Sequence, residues 1–78
     1  MVVQMRIRRP KDRAEIAESR SLLKRLQKYQ RESGLSRYRL AELIGVSFPS
    51  VYYWLDGSTT PKKETREKLR RFLEREGY

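Results

Sequence analysis

Apolar residues recur along this chain three or four positions apart, which is the spacing of α-helices. One stripe is formed by Leu22, Leu23, Leu26 and Tyr29. Another is formed by Thr65, Leu69, Phe72 and Leu73. Each stripe gives a helix one apolar face that it can bury. The pattern predicts that the helix with the first stripe ends at Ser33-Gly34. It also predicts a final helix from about Pro61 or Lys62 to Glu76.

The sequence leaves two starts open for the first helix. Asp12 can cap a helix, and Glu15 three residues later completes a capping box. Ser19 or Ser21 offers a second start, so the segment forms either one long helix or a short helix followed by another. Before it, residues 1–11 alternate apolar and polar positions, which permits a short strand, and a flexible arm is the alternative.

Two shorter helices are predicted between these two, and Gly45 separates them. Ser36 can cap the first helix. Ser47 can cap the second by accepting a hydrogen bond from the amide of Ser50. The predicted fold class is therefore all-α, a bundle of four or five helices.

The segment 37–56 has the spacing of a helix-turn-helix, position by position. Its apolar positions are held by Leu40, Ile44, Val46, Val51 and Trp54. The small Ala41 lies where the two helices cross, and a larger side chain there would push them apart. Gly45 lies in the turn, which requires a positive φ angle that glycine adopts without steric cost. Two helices packed nearly at right angles across a short turn need these residue types.

The composition narrows the range of functions. The 78 residues include 19 Lys and Arg and 10 Asp and Glu, and the net charge of +9 favours a polyanion as partner. The chain has neither His nor Cys, so it lacks the usual general base and the two commonest zinc ligands. We therefore expect no enzyme, no bound metal or cofactor and no small-molecule substrate.

The sequence also bears on location. The N-terminal residues have no signal-peptide apolar region, and no apolar run approaches the roughly 18–20 residues that span a bilayer. We expect a cytoplasmic, nucleoid-associated protein with no membrane partner. The charge is uneven: residues 1–33 carry +6 and residues 58–78 carry +3, whereas residues 34–57 are neutral. The flanks would then supply affinity for a polyanion, and the neutral middle would supply the choice of site.

In the helix-turn-helix segment and around it, the sequence resembles the Cro/phage-repressor-like (XRE-type) helix-turn-helix family of bacterial and phage DNA-binding domains. The resemblance is carried by Gly34-Leu35-Ser36, the run from Leu40 to Ser47, Val51, Trp54, Asp56-Gly57 and Pro61. It covers residues 22–61 well and the final helix loosely, and residues 1–18 lie outside it. It implies a lambda-repressor-like domain over residues 12–78, with a scanning helix at about Arg37–Leu43 and a recognition helix at about Phe48–Leu55.

The resemblance implies contacts with duplex DNA at the matching positions. The base-contacting residues would be Phe48, Pro49, Tyr52 and Tyr53. The phosphate-contacting residues would be Arg37, Arg39, Ser47, Ser50, Lys62 and Lys63. The family commonly has Gln, Arg, Ser or Asn at the base-contacting positions, so the aromatic residues here are a departure from its pattern. Phe48 lies at the flank of its helix, where packing against the core is the alternative.

The basic residues of segment 1–11 allow three interpretations. Arg6, Arg8, Arg9 and Lys11 can form a flexible arm that adds affinity through phosphates, which is the interpretation we favour. They can also form a minor-groove arm, or a strand that pairs with a second copy of the chain.

The function expected from these features is sequence-specific binding of double-stranded DNA by a small transcriptional regulator, repressor-like, of phage, plasmid or prokaryotic type. The resemblance also implies a homodimer, which forms either in solution or on DNA. The alternatives are an antitoxin that binds both operator DNA and a toxin protein, and a protein-interaction adaptor with the same fold. RNA binding through tyrosine stacking is a further alternative, but the helix spacing favours duplex DNA.

Overall fold

Four helices make up residues 10–78, the part of the chain that the computed structural model describes. In chain order they are α1 (Pro10–Ser33), α2 (Arg37–Ile44), α3 (Phe48–Asp56) and α4 (Lys63–Arg75). Because residues 10–78 contain no strand, the predicted all-α class is confirmed. Over the same residues, no helix has both the length and the apolar character that crossing a membrane requires.

The first segment forms one continuous helix rather than two. Ser19, which offered a second helix start, lies within α1 and is buried. Its hydroxyl donates to the carbonyl oxygen of Pro61 at 3.4 Å and accepts from a guanidinium nitrogen of Arg66 at 3.4 Å. Ser19 therefore ties α1 to the segment that leads into α4.

The predicted caps and turn of the middle segment are confirmed. The Ser36 hydroxyl accepts a hydrogen bond from the amide of Arg39 at 3.1 Å, and the Ser47 hydroxyl accepts one from the amide of Ser50 at 3.4 Å. Gly45 has a φ angle of +90°, in the left-handed region, and its amide donates to the carbonyl oxygen of Ala41 at 2.9 Å. These bonds end α2 and start α3 within three residues, which fixes the direction in which α3 leaves the turn.

One hydrophobic core holds the four helices together, with α2 packed on α3 and α1 packed on α4. Its buried apolar residues are Leu22, Leu23, Leu26, Leu40, Ala41, Ile44, Val51, Trp54, Leu69, Phe72 and Leu73. Val46 and Leu55 are partly buried at the edge of this core. The buried faces are those predicted from the helical spacing, except that Tyr29 and Thr65 are only half-buried. The Thr65 hydroxyl donates to the carbonyl oxygen of Lys62.

The C-terminal residue docks on α1. The Tyr78 ring meets the Tyr29 ring edge to face, with centroids 5.1 Å apart, and the Tyr78 carbonyl oxygen accepts from Nε of Arg25 at 2.7 Å. The Tyr78 hydroxyl donates to the Glu32 carboxylate. Burial, and then the Glu76 carboxylate, raises the pKa of Tyr29, and the hydrogen bond to Glu32 raises the pKa of Tyr78. These contacts close α4 onto α1 at the end opposite Ser19.

Candidate nucleic-acid interface

The four predicted base-contacting residues lie together on the outer side of α3. Phe48, Pro49, Tyr52 and Tyr53 line one shallow depression. The exposed fractions are 40% for Tyr52 and 49% for Tyr53, whereas Val51 and Trp54 on the opposite side of the same helix are buried. A nine-residue helix thus has one face in the core and one aromatic face open to a partner.

Phe48 belongs to both the core and the surface. Its side chain is half-buried and packs against the core cluster. Its ring also stacks on the ring of Tyr38 from α2, with centroids 4.0 Å apart and planes within 10° of parallel. The two alternatives that the sequence left open for Phe48 are therefore not exclusive.

Sequence reasoning missed Tyr38, although its 67% exposure is the largest among these aromatic residues. Tyr38 lies in the first turn of α2 and Phe48 begins α3, so their contact crosses the turn. Periodicity within one helix cannot reveal a contact between two helices. In the sequence, the one feature that points to this contact is an aromatic residue near the start of each helix. We call the surface formed by Tyr38, Phe48, Pro49, Tyr52 and Tyr53 the aromatic face.

Arg37 lies at the border of the aromatic face. The central carbon of its guanidinium is 4.8 Å from the centroid of the Tyr52 ring, which is a cation–π arrangement. A guanidinium carries five N–H donors and keeps its positive charge. Arg37 is thus held beside the aromatic face with donors available for an anionic group.

Arg39 and the two serines are engaged within the protein. Arg39 pairs with Glu42 at 3.0 Å, and both side chains are mostly exposed, so the pair adds little stability but offsets the charge of Arg39. The hydroxyls of Ser47 and Ser50 are 2.9 Å apart. The predicted phosphate contacts of these three residues would compete with those internal bonds, and they stay predictions.

Lys62 and Lys63 add positive charge at a second border of the aromatic face. Lys62 is the N-cap residue of α4 and forms no capping hydrogen bond with its side chain, and Lys63 is the first residue of the helix. The positive end of the α4 dipole therefore coincides with two lysines. A groove connects this point to α3, and it is lined by Pro49, Ser50, Tyr53, Trp54, Thr59, Thr60, Lys62 and Thr65.

A further set of cations lies along α1. Arg20, Lys24, Lys28 and Arg31 are exposed and lie at positions i, i+4, i+8 and i+11, which is one face of a helix. We call them the basic stripe. Among the residues that the structure describes, none of the four forms an ion pair, whereas Arg66, Arg70 and Arg71 of α4 pair with Glu18, Glu67 and Glu74. The positive charge of this segment was predicted, whereas the alignment of these four cations on one exposed face was not.

The predicted N-terminal arm is not part of this geometry. Arg6, Arg8 and Arg9 lie outside the described residues, and Lys11 lies in the first turn of α1. What is described is an exposed aromatic surface with cations at two borders. It can offer apolar contact, hydrogen bonds from phenol hydroxyls and attraction for anions. No protein-family model, curated protein or solved structure matches this chain.

Proposed function

We propose that this protein binds double-stranded DNA sequence-specifically and acts as a small, repressor-like transcriptional regulator. In this proposal α2 and α3 are the two helices of a helix-turn-helix, and α3 enters the major groove. The observation that carries it is the common exposed face of Phe48, Pro49, Tyr52 and Tyr53 on a helix that follows a glycine turn. These are the positions at which the resembled family contacts bases.

The distribution of charge supports a phosphate backbone as the surrounding ligand. The major groove is about 12 Å wide and admits an α-helix, so phosphates would flank α3 on both sides. Arg37 lies at one border of the aromatic face, and Lys62 shares a groove with Tyr53 at another. Contacts of this kind fix the register of a protein on the duplex without specifying sequence.

Specificity would then come from the aromatic face itself. Residues 34–57 have no net charge, so nonspecific attraction is weak there and strong in the flanks. A bound protein would act by occupying DNA that the polymerase needs.

A protein partner is the second candidate for the same surface. Tyr and Arg are enriched in the energetically dominant positions of protein interfaces, and the aromatic face with Arg37 has that composition. An antitoxin would use this face or the N-terminal segment to bind its toxin. A protein bound to the aromatic face would compete with DNA, because both need α3.

Selection of bound sites from a random duplex pool at low salt tests the proposal. We expect one enriched sequence, and its symmetry reports whether one or two copies bind. The double variant Tyr52→Ala/Tyr53→Ala should lose the enrichment and keep the helical circular dichroism spectrum. Ile16→Ala is the matched control, because it removes an exposed apolar side chain from α1 rather than from α3.

Two results would speak against DNA binding through α3. One is a wild-type protein that enriches no sequence at low salt. The other is equal enrichment by the wild type and the tyrosine double variant. A protein that co-purifies in fixed stoichiometry and is released by Tyr52→Ala/Tyr53→Ala would instead support the second candidate.

A further inference from the structure

We propose that the aromatic face selects thymine, and that it does so by contact with the C5 methyl group in the major groove. This inference rests on the proposed function, since it assumes that α3 enters duplex DNA. It assigns the chemical group that the face recognises, and it gives Tyr38 a role in specificity.

The first argument comes from the polar groups that the face lacks. In the major groove, guanine is matched by Arg or Lys, adenine by Asn or Gln, and cytosine by Asp or Glu. None of these residue types occurs among Phe48, Pro49, Tyr52 and Tyr53. Each phenol hydroxyl can form single hydrogen bonds only, so the face has no bidentate partner for any base.

Polar residues close to the face do not fill this gap. Asp56, at the end of α3, accepts a hydrogen bond from the Ser58 hydroxyl at 2.9 Å. Ser47 and Ser50 share a hydrogen bond in the first turn. Arg37 comes from α2 and is stacked on Tyr52 at the border, which suits a phosphate contact. Direct discrimination by α3 therefore depends on apolar contact.

The second argument comes from the groove. Thymine is the one standard base that presents an apolar group on its major-groove edge, its C5 methyl. A methyl group buried against Phe48, Pro49 or the tyrosine rings leaves water, whereas the polar edges of the other bases would lose hydrogen bonds there without replacement. The face thus favours thymine and disfavours the remaining bases at the positions that it covers.

The third argument concerns rigidity. The parallel stack of Tyr38 on Phe48, 4.0 Å between centroids, holds the Phe48 ring between α2 and the core. The centroid of the Tyr52 ring lies 6.0 Å from that of Phe48, and the centroid of the Tyr53 ring lies 5.5 Å from that of Tyr52. A continuous set of rings held in place loses little conformational entropy when it covers a methyl group. Tyr38 is accordingly a positioning residue for Phe48.

The test compares duplexes that differ only in the methyl group. A site selected from a random duplex pool is synthesised with thymine and with deoxyuridine at each thymine position in turn. We expect about a fourfold weaker affinity for each methyl that the face covers, which corresponds to roughly 0.8 kcal/mol for burial of one such group. Deoxyuridine at flanking positions should leave the affinity unchanged.

Two variants of one residue separate positioning from simple contact. Tyr38→Ala removes the stack and should reduce the ratio of thymine to deoxyuridine affinity. Tyr38→Phe keeps the ring and should keep the ratio. Tyr38→Phe should unfold at the wild-type temperature, whereas Tyr38→Ala should lose only the stacking energy of about 0.5–1.5 kcal/mol and stay folded, because Tyr38 is largely exposed.

The outcomes are distinguishable from failure of the proposed function. Specific duplex binding with equal affinity for thymine and deoxyuridine sites overturns the inference and leaves DNA binding in place. A thymine preference that is unchanged in Phe48→Ala and Tyr38→Ala also overturns it, because the methyl would then be contacted elsewhere. No duplex binding at low salt, or tighter binding of the single-stranded pool, overturns both.

Discussion

At the scale of single residues, Gly45 has the strongest conformational requirement in the proposed interface. Its φ angle of +90° is one that residues with a Cβ rarely adopt. A Cβ built at this position would meet no atom within 4 Å. The requirement for glycine is therefore set by the backbone rather than by neighbouring atoms, and the cost of substitution is backbone strain alone.

We predict that Gly45→Ala lowers the free energy of unfolding by about 1 kcal/mol, because the Cβ of alanine is sterically strained in the left-handed conformation. Gly45→Asn should cost less, since asparagine tolerates this conformation better. Urea unfolding followed by circular dichroism measures both values. Equal loss in the two variants would mean that the turn tolerates no side chain at all, contrary to the free space around Gly45.

Tyr53 is the residue for which base contact and phosphate contact predict different results. If it contacts bases through a single hydrogen bond or a methyl group, Tyr53→Ala should cost about 0.5–1.5 kcal/mol at particular base pairs of the selected site. Binding assays with every single-base variant of that site give this profile. A uniform loss over all sequences would make Tyr53 a phosphate contact.

At the scale of helices, α3 depends on its first turn. The hydroxyl of Ser47 is the one side-chain group that caps it. We predict that Ser47→Ala lowers the free energy of unfolding by about 1 kcal/mol, with Ser36→Ala at the start of α2 as the matched control of similar size. Thermal unfolding of both variants checks this, and a Ser47→Ala protein as stable as the wild type would contradict it.

The contacts of Tyr78 with α1 predict that the free energy of unfolding changes with pH in the alkaline range. The pKa values of Tyr29 and Tyr78 are raised in the folded protein above the ordinary value of about 10. The stabilisation is therefore fully present below about pH 10 and is lost as the pH rises through the folded-state values, because the unfolded chain releases these protons first.

We expect the free energy of unfolding to fall more steeply above about pH 10 in the wild type than in the double variant Tyr29→Phe/Tyr78→Phe. Urea unfolding from about pH 8 to about pH 11 measures both slopes. Parallel curves would show that these phenols contribute nothing to the decline.

The helices and their buried faces follow from local rules, and contacts between helices do not. Spacing and caps predicted Leu40, Val51, Trp54, Gly45 and Ser47 in the positions that they occupy. By contrast, helical spacing alone would allow Lys68 to pair with acidic residues of its own helix. It donates instead to the carbonyl oxygen of Gly45, because α4 lies against the turn.

The same limit explains what was missed in the candidate site. The stack of Tyr38 on Phe48 and the docking of Tyr78 on Tyr29 join residues of different helices. Their geometry depends on how the helices cross, which the sequence pattern does not specify. The composition of the outer side of α3 was predictable, whereas the contribution of α2 to it was not.

At the scale of the whole molecule, four of the cations that contribute to the net charge of +9 form the basic stripe on α1. The basic stripe is on the side of α1 away from Leu22 and Leu26, so it points away from the core. Charges outside the contact region mainly raise the rate of association and its dependence on salt.

We predict that replacing Arg20, Lys24, Lys28 and Arg31 with Gln slows association with DNA by about tenfold or more at low salt. The dissociation rate should stay the same. The difference between variant and wild type should vanish near 1 M salt, where the screening length is about 3 Å. Stopped-flow mixing with labelled duplex measures both rates. Faster dissociation of the variant would show that the stripe touches DNA directly.

Trp54 gives the molecule an internal optical reporter. It is the single tryptophan, it is 3% exposed, and it follows Tyr53 directly on α3. Unfolding moves the indole into water and shifts its emission to longer wavelength, whereas a partner seated on the outer tyrosines leaves it enclosed. Emission wavelength should therefore follow folding, and energy transfer from Tyr52 and Tyr53 to Trp54 should follow occupancy of the outer face.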